Sequence, residues 1–271
     1  ADILESAIGS IKINKSLIRF KPAILILPDH DSPGFFIKKR KECTTVLISH
    51  HNPMRFINEP LWGNPSEKDA RLALKIENSA LKKVDKVICP SLYMADIFRK
   101  TYLFNGPISV IPNVVDEKLI SSILLKDVRK YLGLPEDSVL IYIPSAGSIF
   151  KGSSYVFEIV RRLAAYAHKK IGFYLSGDIN EELKRELCFL PDDARVYMPG
   201  HLSFQENISV VKGCSFGVSP TLIESFGMAI LEANLCGLPV ISFDVGGNAE
   251  VIHNGENGFL VSPNDVQQLF K

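Results

Sequence analysis

The pattern that most limits how this chain can fold is a short apolar run, a loop and an amphipathic stretch, repeated from end to end. The segment from 216 to 239 shows it most plainly. Phe216-Gly217-Val218-Ser219 reads as a buried strand, Pro220 to Gly227 as a loop, and 227–236 as an apolar helix stopped by Gly237 and Pro239. A strand that is followed by a helix and then by another strand returns to its sheet through a crossover, so the sheets must be parallel. Strands are predicted over 23–27, 45–49, 86–89 and 108–111, then over 139–143, 171–176, 195–198, 216–219, 240–243 and 258–261. Helices are predicted over 66–83 and 91–101, the second with Ser91 as N-cap, then over 152–168, 180–188, 203–212, 227–236 and from 264 onward.

A chain of 271 residues suits two such domains better than one. Val110-Ile111-Pro112-Asn113 places a Pro-Asn turn directly after a strand, a hinge that divides 1–112 from 113–271. The net charge of +1 hides an asymmetry: the first part carries 17 Lys+Arg against 11 Asp+Glu, the second 14 against 19. The basic half contains Phe35, Phe36, Lys38, Lys39, Arg40 and Lys41, read as a solvated helix face, with peripheral docking on an anionic bilayer as the alternative. The chain lacks a basic stripe with interleaved aromatics, which argues against nucleic acid as a partner. No apolar run approaches the roughly 18 residues of a membrane span. Five widely spaced cysteines without a CxxC fit a reducing compartment, so a cytoplasmic location is expected, with the inner membrane face as a peripheral variant.

Chemistry concentrates around Glu224 and Glu232, which stand on either side of Ser225-Phe226-Gly227 and the start of the 227–236 helix. A helix start attracts anions through its unpaired N–H groups and the helix dipole. Carboxylates repel a bare phosphate, so two of them beside such a start suit a ligand with phosphates in the middle and hydroxyls at both ends, such as a nucleotide-sugar. The plainer reading makes Glu224 a capping carboxylate and Glu232 a solvated helix residue.

Four blocks in order, Glu224-x7-Glu232, Cys236-Gly-Leu-Pro-Val-Ile241, Asp244-Val-Gly-Gly-Asn-Ala-Glu-Val-Ile252 and Asn254-Gly-Glu-Asn-Gly-Phe-Leu-Val261, resemble the C-terminal domain of glycosyltransferase family 4, the retaining GT-B enzymes. The resemblance implies an α/β GT-B fold: two Rossmann-like, doubly wound parallel-sheet domains facing a cleft. The first, 1–112, would be an incomplete acceptor-side domain, and 113–271 the nucleotide-sugar-binding one. It further implies metal-independent hexosyl transfer from a UDP-, GDP- or ADP-linked donor to an acceptor hydroxyl of a glycan, lipid or small molecule, with retention and without a cofactor.

Carried over residue by residue, the resemblance puts Glu224 on the transferred sugar and Glu232 on the ribose. Ser225, Phe226, Gly227 and Met228 would receive the diphosphate, with Lys151 and Gly147 in the loop after 139–143. Gly200 and Leu202 would meet the base through backbone, and His50, at the end of the 45–49 strand beside His51, the reacting face of the sugar. Asp29, His30 and Asp31 offer a conceivable metal set, with acceptor binding or a plain loop preferred.

Two departures stand out. The arginine that should share the diphosphate with Lys151 falls near Ala146, and the first domain is shorter than the resemblance implies, which would leave it without the opening strand and its Gly-rich loop. They support a catalytically silent nucleotide-sugar-binding subunit as one alternative; the other is a GT-B nucleotide-sugar epimerase, which would use the same clamp with a different acid-base set.

Overall fold

The structure, a computed structural model, describes residues 2–29, 34–52, 55, 67–166, 170–191 and 194–270. It divides into two compact units, Ala1–Asn113 and Val114–Lys271.

In the first unit, helix α1 (Asp2–Phe20) precedes β1 (Ile24–Pro28) and β2 (Thr44–Ile48). They are followed by α2 (Glu67–Leu81), β3 (Lys86–Cys89), α3 (Leu92–Thr101) and β4 (Ile108–Val110). The four strands are parallel and lie in sequential order. Leu17, Leu27, Leu47, Val87, Met94 and Phe98 form the core between sheet and helices. Ser91 caps α3 as expected, its hydroxyl accepting from the Met94 N–H at 3.0 Å.

Helix α1 was not foreseen. Its buried line runs through Ser10 and Leu17, while Ile11 and Ile18 are 57% and 62% exposed. Apolar residues therefore sit on both faces and blur the helical period.

The basic run departs from expectation. Residues 34–36 form a turn and 37–40 are irregular, so there is no helix face. Asn14 of α1 explains this. Its amide donates to the Phe36 carbonyl at 3.1 Å and its oxygen accepts from the Lys38 N–H at 3.0 Å. Ile37 is buried, Lys39 pairs with Asp85, and the Lys83 ammonium donates to the Phe35 carbonyl while lying 5.7 Å from the Phe35 ring.

The second unit opens with α4 (Glu117–Ser122), whose cap Asp116 accepts from the Leu119 N–H at 2.9 Å. There follow β5 (Leu140–Ile143), a 3₁₀ turn (Ile149–Lys151), α5 (Ser153–Tyr166), β6 (Ile171–Leu175), α6 (Glu181–Leu187) and β7 (Ala194–Tyr197). The chain returns through α7 (Phe204–Val211), β8 (Phe216–Ser219), α8 (Met228–Leu235), β9 (Val240–Phe243) and β10 (Gly258–Val261). The sheet is parallel with order β10-β9-β8-β5-β6-β7. One face is covered by Val156, Ile159 and Leu183 from α5 and α6, the other by Val210, Val211, Ile230 and Ala233 from α7 and α8. With both faces covered, β5 and β6 are buried throughout, which is why they read as unbroken apolar runs.

Candidate active site

The strand order of the second sheet reverses at β5. Strands β6 and β7 step out on one side, and β8 returns to the other. Loops leaving neighbouring strands at such a reversal diverge and leave a crevice at the carboxyl ends. Here the loops that leave the reversal are residues 144–152, after β5, and 220–227, after β8. The two loops are knitted together: the Phe150 carbonyl accepts from Leu222 N–H at 2.9 Å and from Ile223 N–H at 3.2 Å.

Across that join the Lys151 ammonium meets a Glu224 carboxylate oxygen at 2.5 Å. The other Glu224 oxygen accepts from the N–H groups of Ser225 at 2.9 Å and Phe226 at 3.4 Å. Burial works to raise the Glu224 pKa, but the Lys151 charge and hydrogen bond, with those two N–H groups, outweigh it and hold the carboxyl below its ordinary value. Glu224 thus already occupies the donors assigned to a diphosphate.

Helix α8 starts one residue later than expected, at Met228, because Gly227 is its cap at φ +99°. Its first N–H groups belong to Met228 and Ala229, since those of Ile230 and Leu231 close onto the Gly227 carbonyl at 3.1 and 2.9 Å. Glu224 is therefore not the cap of this helix.

Glu232, on α8, is half-buried, and burial alone raises its pKa. No hydrogen-bond or ion-pair partner for its carboxylate occurs among the described residues. Such a carboxylate gains from any ligand that brings hydroxyl donors.

The glycines of this loop are demanded by the packing of backbone on backbone. A Cβ at Gly147 would lie 2.0 Å from the Asp178 carbonyl oxygen, and one at Gly152 (φ +79°) 2.0 Å from that of Pro220. Both let protein backbone pass.

Ala146 is fully buried, its N–H bonded to the Ser176 carbonyl at 3.0 Å. No cation can be accommodated there without dismantling the core. The half-buried Arg129 does not substitute, its guanidinium being spent on the carbonyls of Ser138 and Gly213 and on Asp127.

Gly200 takes φ +81° after β7, His201 is exposed, and Leu202 packs against the core of the α7–α8 face. Ser203 and Glu206 form a capping box at the start of α7, which fixes the backbone just after Leu202.

The sequence marks Asp244 and the Gly246-Gly247 turn as a cleft edge but does not show what the turn holds. A Cβ at Gly246 would lie 1.9 Å from the Glu224 carbonyl oxygen, so the Gly246-Gly247 turn props the 224–226 loop from behind. Asn248 anchors that turn, its amide nitrogen donating to Ser242 Oγ and the Phe243 carbonyl, each at 3.0 Å. A polar residue following Gly-Gly was the available signal.

In the first unit His50 is exposed and His51 half-buried, both just past β2. Asp29 binds the backbone of this turn, so its carboxylate is engaged; His30 and Asp31, its partners in the conceivable metal set, lie outside the described residues.

Comparison with known proteins agrees in both halves. Residues 2–119 match the model for "Glycosyltransferase Family 4" and residues 138–271 that for "Glycosyl transferases group 1". The chain belongs to glycosyltransferase family 4.

An uncharacterized glycosyltransferase of Methanocaldococcus jannaschii is 28% identical over 269 residues, 96% of this chain and 68% of that protein. The gpi3 subunit of phosphatidylinositol N-acetylglucosaminyltransferase from Schizosaccharomyces pombe is 31% identical over 183 residues, 66% of this chain and 38% of its own length. The family-4 chain thus spans 38% to 68% of these relatives. Among solved structures, sucrose-phosphate synthase of Thermosynechococcus elongatus superposes with a TM-score of 0.73 at 22% identity, covering 95% of this chain and 65% of that one. HepE of Anabaena, in complex with UDP, gives 0.72 at 22% identity, covering 96% and 70%. These likenesses show the GT-B fold. No helix among the described residues is long and apolar enough to cross a membrane.

Proposed function

We propose that the second unit binds a nucleotide-diphosphate-sugar in the crevice between the β5 and β8 loops, and that the protein transfers the sugar to an acceptor hydroxyl with retention and without a metal. The observation that carries this reading is the Lys151–Glu224 pair at the strand-order reversal, with the unpartnered Glu232 on the helix that follows. In this reading the donor diphosphate replaces the Glu224 carboxylate at the Ser225 and Phe226 N–H groups and on Lys151. Glu224, released, accepts from hydroxyls of the transferred sugar. Glu232 accepts from the ribose, and the Gly200–Leu202 backbone meets the base. The catalytic service is stabilisation of the departing diphosphate by Lys151 and the amino end of α8, while the acceptor attacks from the same face. His50 would assist at the reacting carbon.

Support comes from HepE, whose solved structures hold UDP and UDP-glucose. A thermal-shift screen of UDP-, GDP- and ADP-sugars, repeated with EDTA, tests the reading. A stabilising donor, transfer that survives EDTA and a product with the donor's anomeric configuration are expected. Loss of activity on chelation, or inversion, rejects the corresponding part.

Buried Ala146, in place of the expected arginine, favours a second reading: a subunit that binds nucleotide-sugar without transferring it. Calorimetric binding with no consumption of donor in the presence of any acceptor would select that reading.

A further inference from the structure

We infer that Asp29 is a positioning residue that sets the histidine turn after β2; its link to catalysis rests on the role proposed above for His50. Strands β1 and β2 are parallel with Pro28 opposite Ile48, so the next residue of each, Asp29 and Ser49, meet at the carboxyl edge of the sheet. Asp29 is 5% exposed. Its Oδ2 accepts from the Ser49 hydroxyl at 2.8 Å, the His51 N–H at 3.0 Å and the Asn52 N–H at 2.7 Å. Its Oδ1 accepts from the N–H groups of His50 at 3.3 Å and His51 at 3.1 Å.

Three consecutive N–H groups converging on one point form an anion-binding nest. This nest is filled by the protein's own carboxylate. The chain leaves the nest through the left-handed backbone of Asn52, φ +48°, a conformation that asparagine tolerates better than most residues. The β2 ladder has ended by then: its last N–H, from Ser49, bonds the Ile88 carbonyl at 2.8 Å. Beyond Ser49 the backbone of both histidines is therefore set by Asp29 rather than by strand pairing. A carboxylate buried to this degree requires such donors, and the turn requires the carboxylate. Each stabilises the other.

The test uses the full chain with Asp29→Ala, Asp29→Asn and, as a control, Asn52→Gly, which keeps the left-handed backbone. The first readout is independent of activity: ¹H–¹⁵N amide shifts of His50, His51 and Asn52 should move in both Asp29 variants, while those of His50 and His51 should stay near wild type in Asn52→Gly. The second is kinetic. Misplacing a reacting group by about 1 Å costs on the order of a hundredfold, so kcat for transfer should fall about that much in Asp29→Ala. Donor KM and nucleotide affinity, which belong to the second unit, should stay within twofold. Millimolar formate, which supplies a carboxylate to the emptied nest, should restore part of kcat in Asp29→Ala and none in Asp29→Asn.

Unmoved amide shifts overturn the anchoring itself. Shifted amides with kcat retained within threefold overturn its catalytic meaning. Parallel loss of nucleotide affinity and kcat, or unfolding of both Asp29 variants, makes Asp29 a general fold residue and also overturns it. A wild-type chain that transfers nothing rejects the glycosyl-transfer reading, and the amide shifts alone then judge the turn.

Discussion

Cutting the Lys151–Glu224 pair is the most revealing perturbation. At 2.5 Å and an effective dielectric constant of about 20, Coulomb's law gives a gross attraction of about 7 kcal/mol. Desolvation of both groups cancels most of it. Exposed pairs are worth about 0.2–1 kcal/mol and truncation of a buried pair costs about 3–5. With side-chain exposures of 33% for Lys151 and 15% for Glu224, the pair lies between, and a coupling of about 2 kcal/mol is expected. A double-mutant cycle of Lys151→Met and Glu224→Gln isolates it. Hydrogen exchange at the amides of β5 and β6 is the assay, since it reads the second unit without assuming that both units unfold together.

The sign with pH follows from the depressed Glu224 pKa. The coupling is fully present above the ordinary carboxylate value and disappears as pH falls through the lowered one. A coupling below about 0.3 kcal/mol at pH 7, or one that persists unchanged after acidification through that value, refutes the ion-pair reasoning. The same Lys151→Met variant should weaken binding of a nucleoside diphosphate and leave that of the nucleoside unchanged.

Glu232→Gln should act in the opposite sense on stability. Burial raises the Glu232 pKa, so the charged side chain costs stability increasingly as pH rises through that value. Removing the charge should stabilise the second unit at pH 7 by about 0.5 kcal/mol, discounted for partial exposure, while raising donor KM, as titration kinetics would show. Gly147→Ala should cost about 3 kcal/mol in denaturant unfolding, because its methyl group meets the Asp178–Asn180 backbone rather than a flexible side chain. Phe173→Ala, in the fully buried centre of β6, should cost about 4 kcal/mol by the same measurement.

The second unit was the more legible. Its strands are covered on both faces, so they announce themselves as apolar runs, and Gly and Pro punctuate them at the true ends of α8. Tyr197 and Met198 show the limit: β7 is an edge strand, and its predicted span was one residue late at both ends. The first unit hid more, because α1 spreads isoleucines over two faces and the run at 35–41 follows Asn14, a partner 22 residues or more away. At the site, the residue types around 224–232 pointed to a ligand with phosphates and hydroxyls. That Glu224 rests on Lys151 and on its own loop could not be read from spacing.

Local patterning alone determined the parallel α/β class, the Ser91 cap of α3, the stop of α8 and the acidic pair beside a helix start, because those signals depend on residues a few positions apart. Tertiary structure alone decided that Ala146 is sealed in the core, that Gly147 and Gly152 yield to neighbouring backbone, and that Asp29 reaches the His50–Asn52 amides. Each of those facts depends on two loops brought together by adjacent strands. Strand adjacency in a parallel sheet is a property of the whole packed sheet, which no stretch of sequence states.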